Sequence, residues 1–359
     1  MPLVRIFLEF LRIGFIAFGG PAAHIALMER ELVSRKQWMK PQTFLDYIGA
    51  VNLIPGPNST QLCMLTGYQQ RGFWGMLAGG VGFILPAALI TMVFAWFYVE
   101  LGHVPLVESL FLGIKPAVIA VIAGAVLQLG KKAVKGIWFG LLGIVILTLV
   151  LLGLSEITAI LGAGIAGMSF YAIRSGFRGW RNSKSIAPFI LLQALAPGLA
   201  TYSSLQLFWI FFKIGAVLFG SGYVLVAYMD GELVEKAGWL TREQLLDAIA
   251  IGQFTPGPIL SAATFAGYLI EGWKGAAIAT TAIFLPSIIF ILILYPIIPK
   301  LRKSPFTAAF LDAVNVGAVS SMLAVSISMT IEVAVSPASA IILAIALIAV
   351  VDQKKFGSI

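Results

Sequence analysis

The sequence predicts an all-α polytopic membrane protein of two inverted-topology repeats, each with about four spans plus a re-entrant Pro-Gly-Pro hairpin, joined by one extra span. Three observations carry this. First, 59% of the 359 residues are hydrophobic and only 11% are charged, whereas water-soluble domains carry roughly a quarter charged residues. Second, several runs stay apolar for about 20 residues, long enough to cross a bilayer core of roughly 30 Å. Third, one passage occurs twice: residues 10–57 and 211–258 align without a gap and are identical at 17 of 48 positions. The identities include Phe18-Gly19 with Phe219-Gly220, Glu31 with Glu232, Trp38 with Trp239, Asp46 with Asp247 and both Pro-Gly-Pro triplets. After a one-residue deletion the match continues through Gly67-Tyr68 with Gly267-Tyr268 and Leu85-Pro86 with Leu285-Pro286.

Membrane spans are expected near 3–20, 73–99, 104–130, 136–153, 155–173, 204–222, 273–298, 307–333 and 337–351. This divides the chain into an N-terminal repeat, 1–153, a linking span with a basic and interfacial loop, 154–203, and a C-terminal repeat, 204–359. In each repeat an amphipathic stretch precedes two short apolar arms, 44–54 with 58–70 and 245–255 with 259–270. Arms of about 12 residues reach roughly 18 Å, too little to cross, so each Pro-Gly-Pro is read as a re-entrant tip. Counting every arm as a span gives thirteen instead. The apolar run after Arg5 resembles a signal peptide, but its counterpart at 204–222 is internal, so the segment is read as part of the repeat and retained.

With the N-terminus placed outside, 17 of the 24 Lys and Arg fall on the cytoplasmic side, among them Arg71, Lys131, Lys132, Arg178 and Lys303. Glu100, Glu156, Glu235 and Glu271 fall outside. That asymmetry obeys the positive-inside rule, places the C-terminus in the cytoplasm and explains the +8 net charge without a nucleic-acid partner. Cys63 is the only cysteine and His24 and His103 the only histidines, so neither a disulfide nor a cysteine-cluster or multi-histidine metal site is expected. No phosphate-binding GxxxxGK[ST] loop is present, and no cofactor is implied. A duplicated apolar unit interrupted by glycine and proline is the signature of a secondary transporter, with the substrate site near the midplane between inverted repeats.

Arg12 and Lys213 occupy matched positions in mid-span, and Lys115 lies mid-span before Pro116. A cation at that depth costs about 2.5–3.5 kcal/mol and normally faces a polar cavity or partner. The anion-site reading therefore stands beside a plainer one, in which Arg12 pairs with Glu9 and the two lysines reach an interface. Phe18-Gly19-Gly20-Pro21 and Phe219-Gly220-Ser221-Gly222 break the backbone at matched places, as do Pro55-Gly56-Pro57 and Pro256-Gly257-Pro258. Helix starts at such breaks offer open N–H groups to an oxyanion, although glycine and proline also serve close packing and kinks. Asn52, Asn58, Ser59, Thr60 and Gln61 in one half, and Gln253, Thr255 and Ser261 in the other, are candidates to complete a cage. Asn315, Ser320 and Ser321 are weaker ones. For proton coupling the titratable candidates are His24, Glu31, Asp46, Glu232 and Asp247, read chiefly as interfacial charges; Leu225 stands where His24's mirror would be.

FLRIGFIAFGGPAAHIALM, the IPGPNS turn with its GYQQRG continuation and the second-half LFGSGYVLVAYM…GQFTPGP resemble the chromate ion transporter family over nearly the whole chain. The resemblance implies a long-chain, two-repeat member of the cell inner membrane that exports chromate, also handles sulfate, and is driven by the proton-motive force. Arg12, Phe18, Gly19, Gly20, Pro21, His24 and the two Pro-Gly-Pro triplets match the family motif. Gly220 and Gly222 match as well, while Ser221 departs from its Gly-Gly-Pro form. Partners are then the oxyanion, protons and the lipid bilayer, and a homodimer is compatible with the reading. A membrane-embedded enzyme acting on lipid headgroups, with His24 or Asp46 as base, is the alternative from another class. The duplication argues against it, because catalytic constellations are usually asymmetric.

Overall fold

The computed structural model describes residues 1–18, 20–52, 54–101, 105–174, 203–219, 222–295, 305–333 and 337–356. The loop 175–202 and the expected site residues Gly19, Gly220 and Ser221 lie outside them. Described residues form helices and no strand: α1 (Leu3–Ile16), α2 (Pro21–Met28), α3 (Pro41–Val51), α4 (Asn58–Leu101), α5 (Pro105–Ala133), α6 (Ile137–Leu151) and α7 (Glu156–Arg174). The second half continues with α8 (Ser204–Val217), α9 (Leu225–Met229), α10 (Arg242–Phe254), α11 (Ala262–Leu294), α12 (Pro305–Val333) and α13 (Pro337–Phe356). Short π-helical segments, Glu29–Arg35 and Asp230–Lys236, follow α2 and α9 at matched places of the two repeats. Among the described residues five helices are long and apolar enough to cross a membrane.

Two compact bodies result, each drawing on both halves of the chain. The first comprises Met1–Tyr98, Leu192–Leu225 and Ile251–Ser304, the second Val99–Leu191, Val226–Ala250 and Pro305–Ile359.

In the first body α4 reverses at Arg71 (φ −153°, ψ 27°) and Gly72 (φ 59°, ψ −145°), a pair of conformations that needs glycine at the second position. Its limbs, 58–70 and 73–101, then lie against each other. A methyl on Gly67 would strike the Gly75 carbonyl oxygen, and one on Gly79 would lie 2.7 Å from that of Cys63. Glycine at these places allows the backbones to approach. The short limb is about 20 Å long, so its start at the Pro-Gly-Pro turn is level with the middle of the long limb, near Pro86.

The same half of the long limb packs against α1, where Gly14 abuts the Phe83 carbonyl and Gly82 abuts the Phe7 carbonyl. After α2 the chain comes back along α1: Glu31 bonds Arg12 (3.2 Å), Lys36 bonds Glu9 and the Trp38 ring meets Phe10 at 6.1 Å. The Gln70 side chain donates to the Trp38 carbonyl (3.0 Å) and Arg71 to that of Met1 (3.0 Å). Residues 1–72 thus leave one end of the long limb and return to it twice. This corrects the expectation that 3–20 and 204–222 are full spans. Both helices stop after 14 residues, about 21 Å of helix, because the backbone leaves helical geometry at Ala17 and Leu218.

The second repeat copies the reversal at Glu271 (φ −142°, ψ 29°) and Gly272 (φ 58°, ψ −146°), with Gly267 against Gly275 and Thr264 bonded to Thr280 at 2.8 Å. Its long limb runs antiparallel to that of the first repeat. Tyr68, near the first reversal, meets Tyr295 at the far end of α11 (4.5 Å), while Tyr98 meets Phe265 near the second reversal (5.3 Å).

In the second body α12 packs on α5, α6 and α7, and α13 on α5. Small residues set the spacing there: a methyl on Gly164 would lie 2.7 Å from Val314, and one on Gly317 would lie 2.9 Å from Ala163.

Candidate anion-binding centre

The two broken helices end alike. Ala17 (φ −84°, ψ 89°) follows α1, and Leu218 (φ −72°, ψ 89°) follows α8 at the matched position. Each then receives the Pro-Gly-Pro turn of the other repeat: Gly257 N–H donates to the Ala17 carbonyl (2.8 Å) and Gly56 N–H to the Leu218 carbonyl (2.6 Å). Both glycines adopt left-handed φ, 123° at Gly56 and 97° at Gly257, which L side chains rarely allow. Space is equally restrictive. A methyl on Gly257 would lie 2.9 Å from Ala87 Cβ, and one on Gly56 would lie 2.7 Å from Ser287 Oγ. Ala87 and Ser287 stand near Pro86 and Pro286, in the middle of the two long limbs, so both turns are seated at mid-helix.

This docking alters one expectation. The N–H groups of Gly56 and Gly257 are spent on carbonyls and are not open to a ligand. The donors that a helix start leaves without an intrahelical partner are those of the first turns, here Ala23 after Gly20-Pro21 and Ser59 and Thr60 after Pro57. Around them Gln61 donates to the Pro55 carbonyl (2.6 Å) and to Ser287 (3.3 Å). Thr255 donates to the Ile251 carbonyl (2.6 Å) and meets Thr91 at 3.4 Å. Asn52 and Asn58 bond each other (2.7 Å); Ser59 and the prolines of the turns are buried, as is Gly222 beside Ile259 and Leu260. The side-chain nitrogen of Gln253 is buried without a hydrogen-bond partner.

The expected cations do not share one cluster. Arg12, half exposed, is ion-paired to Glu31 (3.2 Å) and Glu9 (3.5 Å), as the plainer reading anticipates. Arg35 and Arg30 also face Glu31, and Lys36 faces Glu9. Four cations around two carboxylates leave this end of the first body positive. Burial alone would raise the Glu31 carboxyl, but the Arg12, Arg35 and Arg30 guanidiniums outweigh it and hold it below its ordinary range. Lys213 sits on α8 at the matched position. Lys115 belongs to the second body, where it faces Asp247 (3.6 Å) and Glu243 (3.8 Å).

The other titratable candidates are similarly engaged. Glu232 is bonded to Lys236 (2.6 Å) and Asp46 accepts from Gln42 (3.2 Å). His24 differs: it is 1% exposed, its ring has no side-chain hydrogen-bond partner, only the Ala17 backbone beside it, and it meets Phe83 edge-on at 5.6 Å. Asn315, Ser320 and Ser321 lie on α12 in the second body.

Sequence reasoning missed Thr91 and Ser287. The available signal was a polar residue beside a proline inside an otherwise apolar limb. An apolar cleft of about 250 Å³ also opens between the long limbs, lined by Ile84, Leu85, Ala88, Phe284, Leu285 and Ile288. It offers a dianion almost nothing to bond.

Comparison with known proteins follows the same repeat. The profile of the family described as Chromate transporter matches residues 4–168 and 205–357. A chromate transport protein of Cupriavidus metallidurans is 34% identical over 325 residues, 89% of this chain and 80% of that protein. One of Pseudomonas aeruginosa is 30% identical over 342 residues, 92% of this chain and 81% of that protein. An uncharacterized transporter of Methanocaldococcus jannaschii is 29% identical over 336 residues, covering 90% and 83% respectively. No solved structure matches the chain. With a two-part profile over most of its length and relatives aligned over 89% and 92% of it, the chain belongs to the chromate transporter family.

Proposed function

We propose that this protein is a secondary active transporter that exports chromate, a tetrahedral oxyanion, across the cell inner membrane in a proton-coupled cycle. One observation carries the reading: each repeat's Pro-Gly-Pro turn is docked on the other repeat's broken helix at mid-limb. Breaks of this kind seat ions in transporters because half-helix starts present N–H dipoles where no lipid touches them. The antiparallel course of the two long limbs supports inverted repeats with re-entrant turns, the arrangement in which rocking of one repeat against the other exposes a central site alternately to each side. The relatives named as transport proteins favour this over the headgroup-enzyme reading.

In this reading the first turns after Gly20-Pro21 and Pro55-Gly56-Pro57, with Asn58 and Ser59, hold the oxyanion from one repeat. Gly222, Gln253, Thr255 and the first turn after Pro256-Gly257-Pro258 hold it from the other. Arg12 and Lys213 supply formal charge, since backbone dipoles provide only part of what a desolvated dianion needs. The excess positive charge around Arg12 draws anions to that end first. Lys115 acts only through the second body. Because the basic end is cytoplasmic by the positive-inside rule, and Met1 is bonded at the same end as Arg71, the N-terminus is cytoplasmic along with the C-terminus. The expectation of an external N-terminus relied on α1 crossing, and α1 is too short to do so.

Sulfate is the second reading, because chromate and sulfate are tetrahedral dianions that N–H and hydroxyl donors bind alike. Proteoliposomes loaded with either anion, with and without a pH gradient, test both readings. Chromate efflux that responds to the gradient is expected. No flux of either anion refutes the proposal, and sulfate flux without chromate flux selects the alternative.

A further inference from the structure

Three helix starts in the first body share a detail that the docking of the turns does not explain. Three residues after Pro21, Pro57 and Pro258 stand His24, Thr60 and Ser261. They are 1%, 0% and 2% exposed. The hydroxyls of Thr60 and Ser261 are buried without a hydrogen-bond partner, and the His24 ring has no side-chain partner, only the Ala17 backbone beside it. Their backbones are in order: His24 N–H reaches the Gly20 carbonyl (3.1 Å), and Ser261 N–H that of Pro258 (3.0 Å). Only the two hydroxyls are left over.

Thr66 and Ser321 are also buried without a bond, but other helical hydroxyls follow the common pattern. Thr148, Thr255, Thr280 and Ser326 each bond the carbonyl one turn back, at 2.9, 2.6, 2.6 and 2.6 Å, the usual resort of such groups. A buried polar group with no bond destabilises the fold, so its presence calls for a reason. Thr60 and Ser261 are moreover equally spaced from the two Pro-Gly-Pro turns, whereas the fourth helix start carries Leu225 in the place of His24. Contacts of neighbouring residues link the segments. A methyl on Gly20 would lie 3.5 Å from Tyr223 Oη and 3.9 Å from Ile259 Cδ1, two residues before Ser261, and Thr60 follows the turn docked on Leu218.

We infer that His24, Thr60 and Ser261 are the side-chain donors for the transported oxyanion, one imidazole and two hydroxyls beside the open N–H groups of the first turns. This rests on the transport reading and specifies its ligands. Glu9 and Glu31 both pair with Arg12. An oxyanion reaching Thr60 or Ser261 meets an uncommitted hydroxyl, and one reaching His24 competes only with the Ala17 backbone.

The test separates ligand from scaffold by the sign of two effects. Thr60→Val is nearly isosteric and Ser261→Ala removes one atom, so deleting an unbonded hydroxyl should leave the unliganded protein as stable as native or more so. Purified protein is heated with sodium sulfate or with sodium chloride at equal ionic strength, and unfolding is read from exposure of the Cys63 thiol. Native protein should be protected by sulfate alone. Each variant should lose that protection and need about tenfold or more chromate for half-maximal vesicle uptake. His24→Leu, which copies the matched residue of the other repeat, should do likewise, and His24→Gln should retain part of the affinity through its amide. A variant that melts lower without ligand marks its hydroxyl as structural and overturns the inference, as does one that keeps both sulfate protection and native half-saturation. If native protein neither gains protection nor transports any oxyanion, the transport reading fails first; if native and variants transport alike, only the inference fails.

Discussion

Gly257→Ala tests whether the second Pro-Gly-Pro turn is clamped at mid-limb. The residue has φ 97°, and forcing alanine into such a conformation costs about 1–3 kcal/mol. The new methyl would also lie 2.9 Å from Ala87 Cβ and 3.5 Å from the Gly14 carbonyl oxygen, a packed wall that cannot give way without moving α1 or the long limb of α4, adding about 1–3 kcal/mol. Gly72→Ala is the internal control. It has comparable backbone strain at φ 59° but nothing within 4 Å of the added methyl, so only the first cost applies. At about 2–4 °C per kcal/mol, Gly257→Ala should lower the unfolding midpoint by roughly twice as much as Gly72→Ala. Cys63, the only cysteine and fully buried, is the reporter: its reactivity toward a fluorogenic maleimide on heating gives the midpoint with no added label. Equal midpoints for the two variants would refute the clamp, and a Gly257→Ala protein within a degree of native would refute the turn geometry itself.

Glu31→Gln should lower stability by about 1–3 kcal/mol, moderated by the half-exposed Arg12, measured by the same thiol assay. The Glu31 carboxyl lies below its ordinary range in the folded protein, so its contribution is present at neutral pH and lost as pH falls below about 4; the variant should therefore show a flatter acid limb. Arg12→Gln or Lys213→Gln should abolish chromate flux with the protein still inserted, and Arg12→Lys should retain more because charge survives without the planar donor fork. Flux at native affinity in both glutamine variants would make these cations structural. In a Cys63→Ser background, a cysteine at position 100 should react with impermeant maleimide in intact cells and one at position 2 should not. Labelling at position 2 would restore the external N-terminus.

The sequence by itself determined the class, the repeat and the places of the breaks. Apolar length set the spans, because nothing shorter satisfies a bilayer, and 73–99, 155–173 and 307–333 coincide closely with the long limb of α4, α7 and α12. Pro-Gly-Pro and Phe-Gly marked where helices must stop, because proline lacks the N–H and glycine takes the turn. What only tertiary structure decided was where a broken helix goes next. Hydropathy counts residues and is blind to direction, so an apolar run that turns back at Ala17 looks the same as one that continues across. The reversal at Arg71-Gly72 was implied by reading 58–70 as an arm and 73–99 as the next span; what the sequence did not show is how closely Gly67, Gly75 and Gly79 bring the two limbs together. Likewise Arg12 was legible as a deep cation, but its partner Glu31 lies 19 residues on and meets it only because the chain returns. Matching the repeats in sequence aligned Gly56 with Gly257; it took the folded chain to hang each on the other repeat's broken helix, since that pairing is made of backbone hydrogen bonds, which carry no side-chain signature.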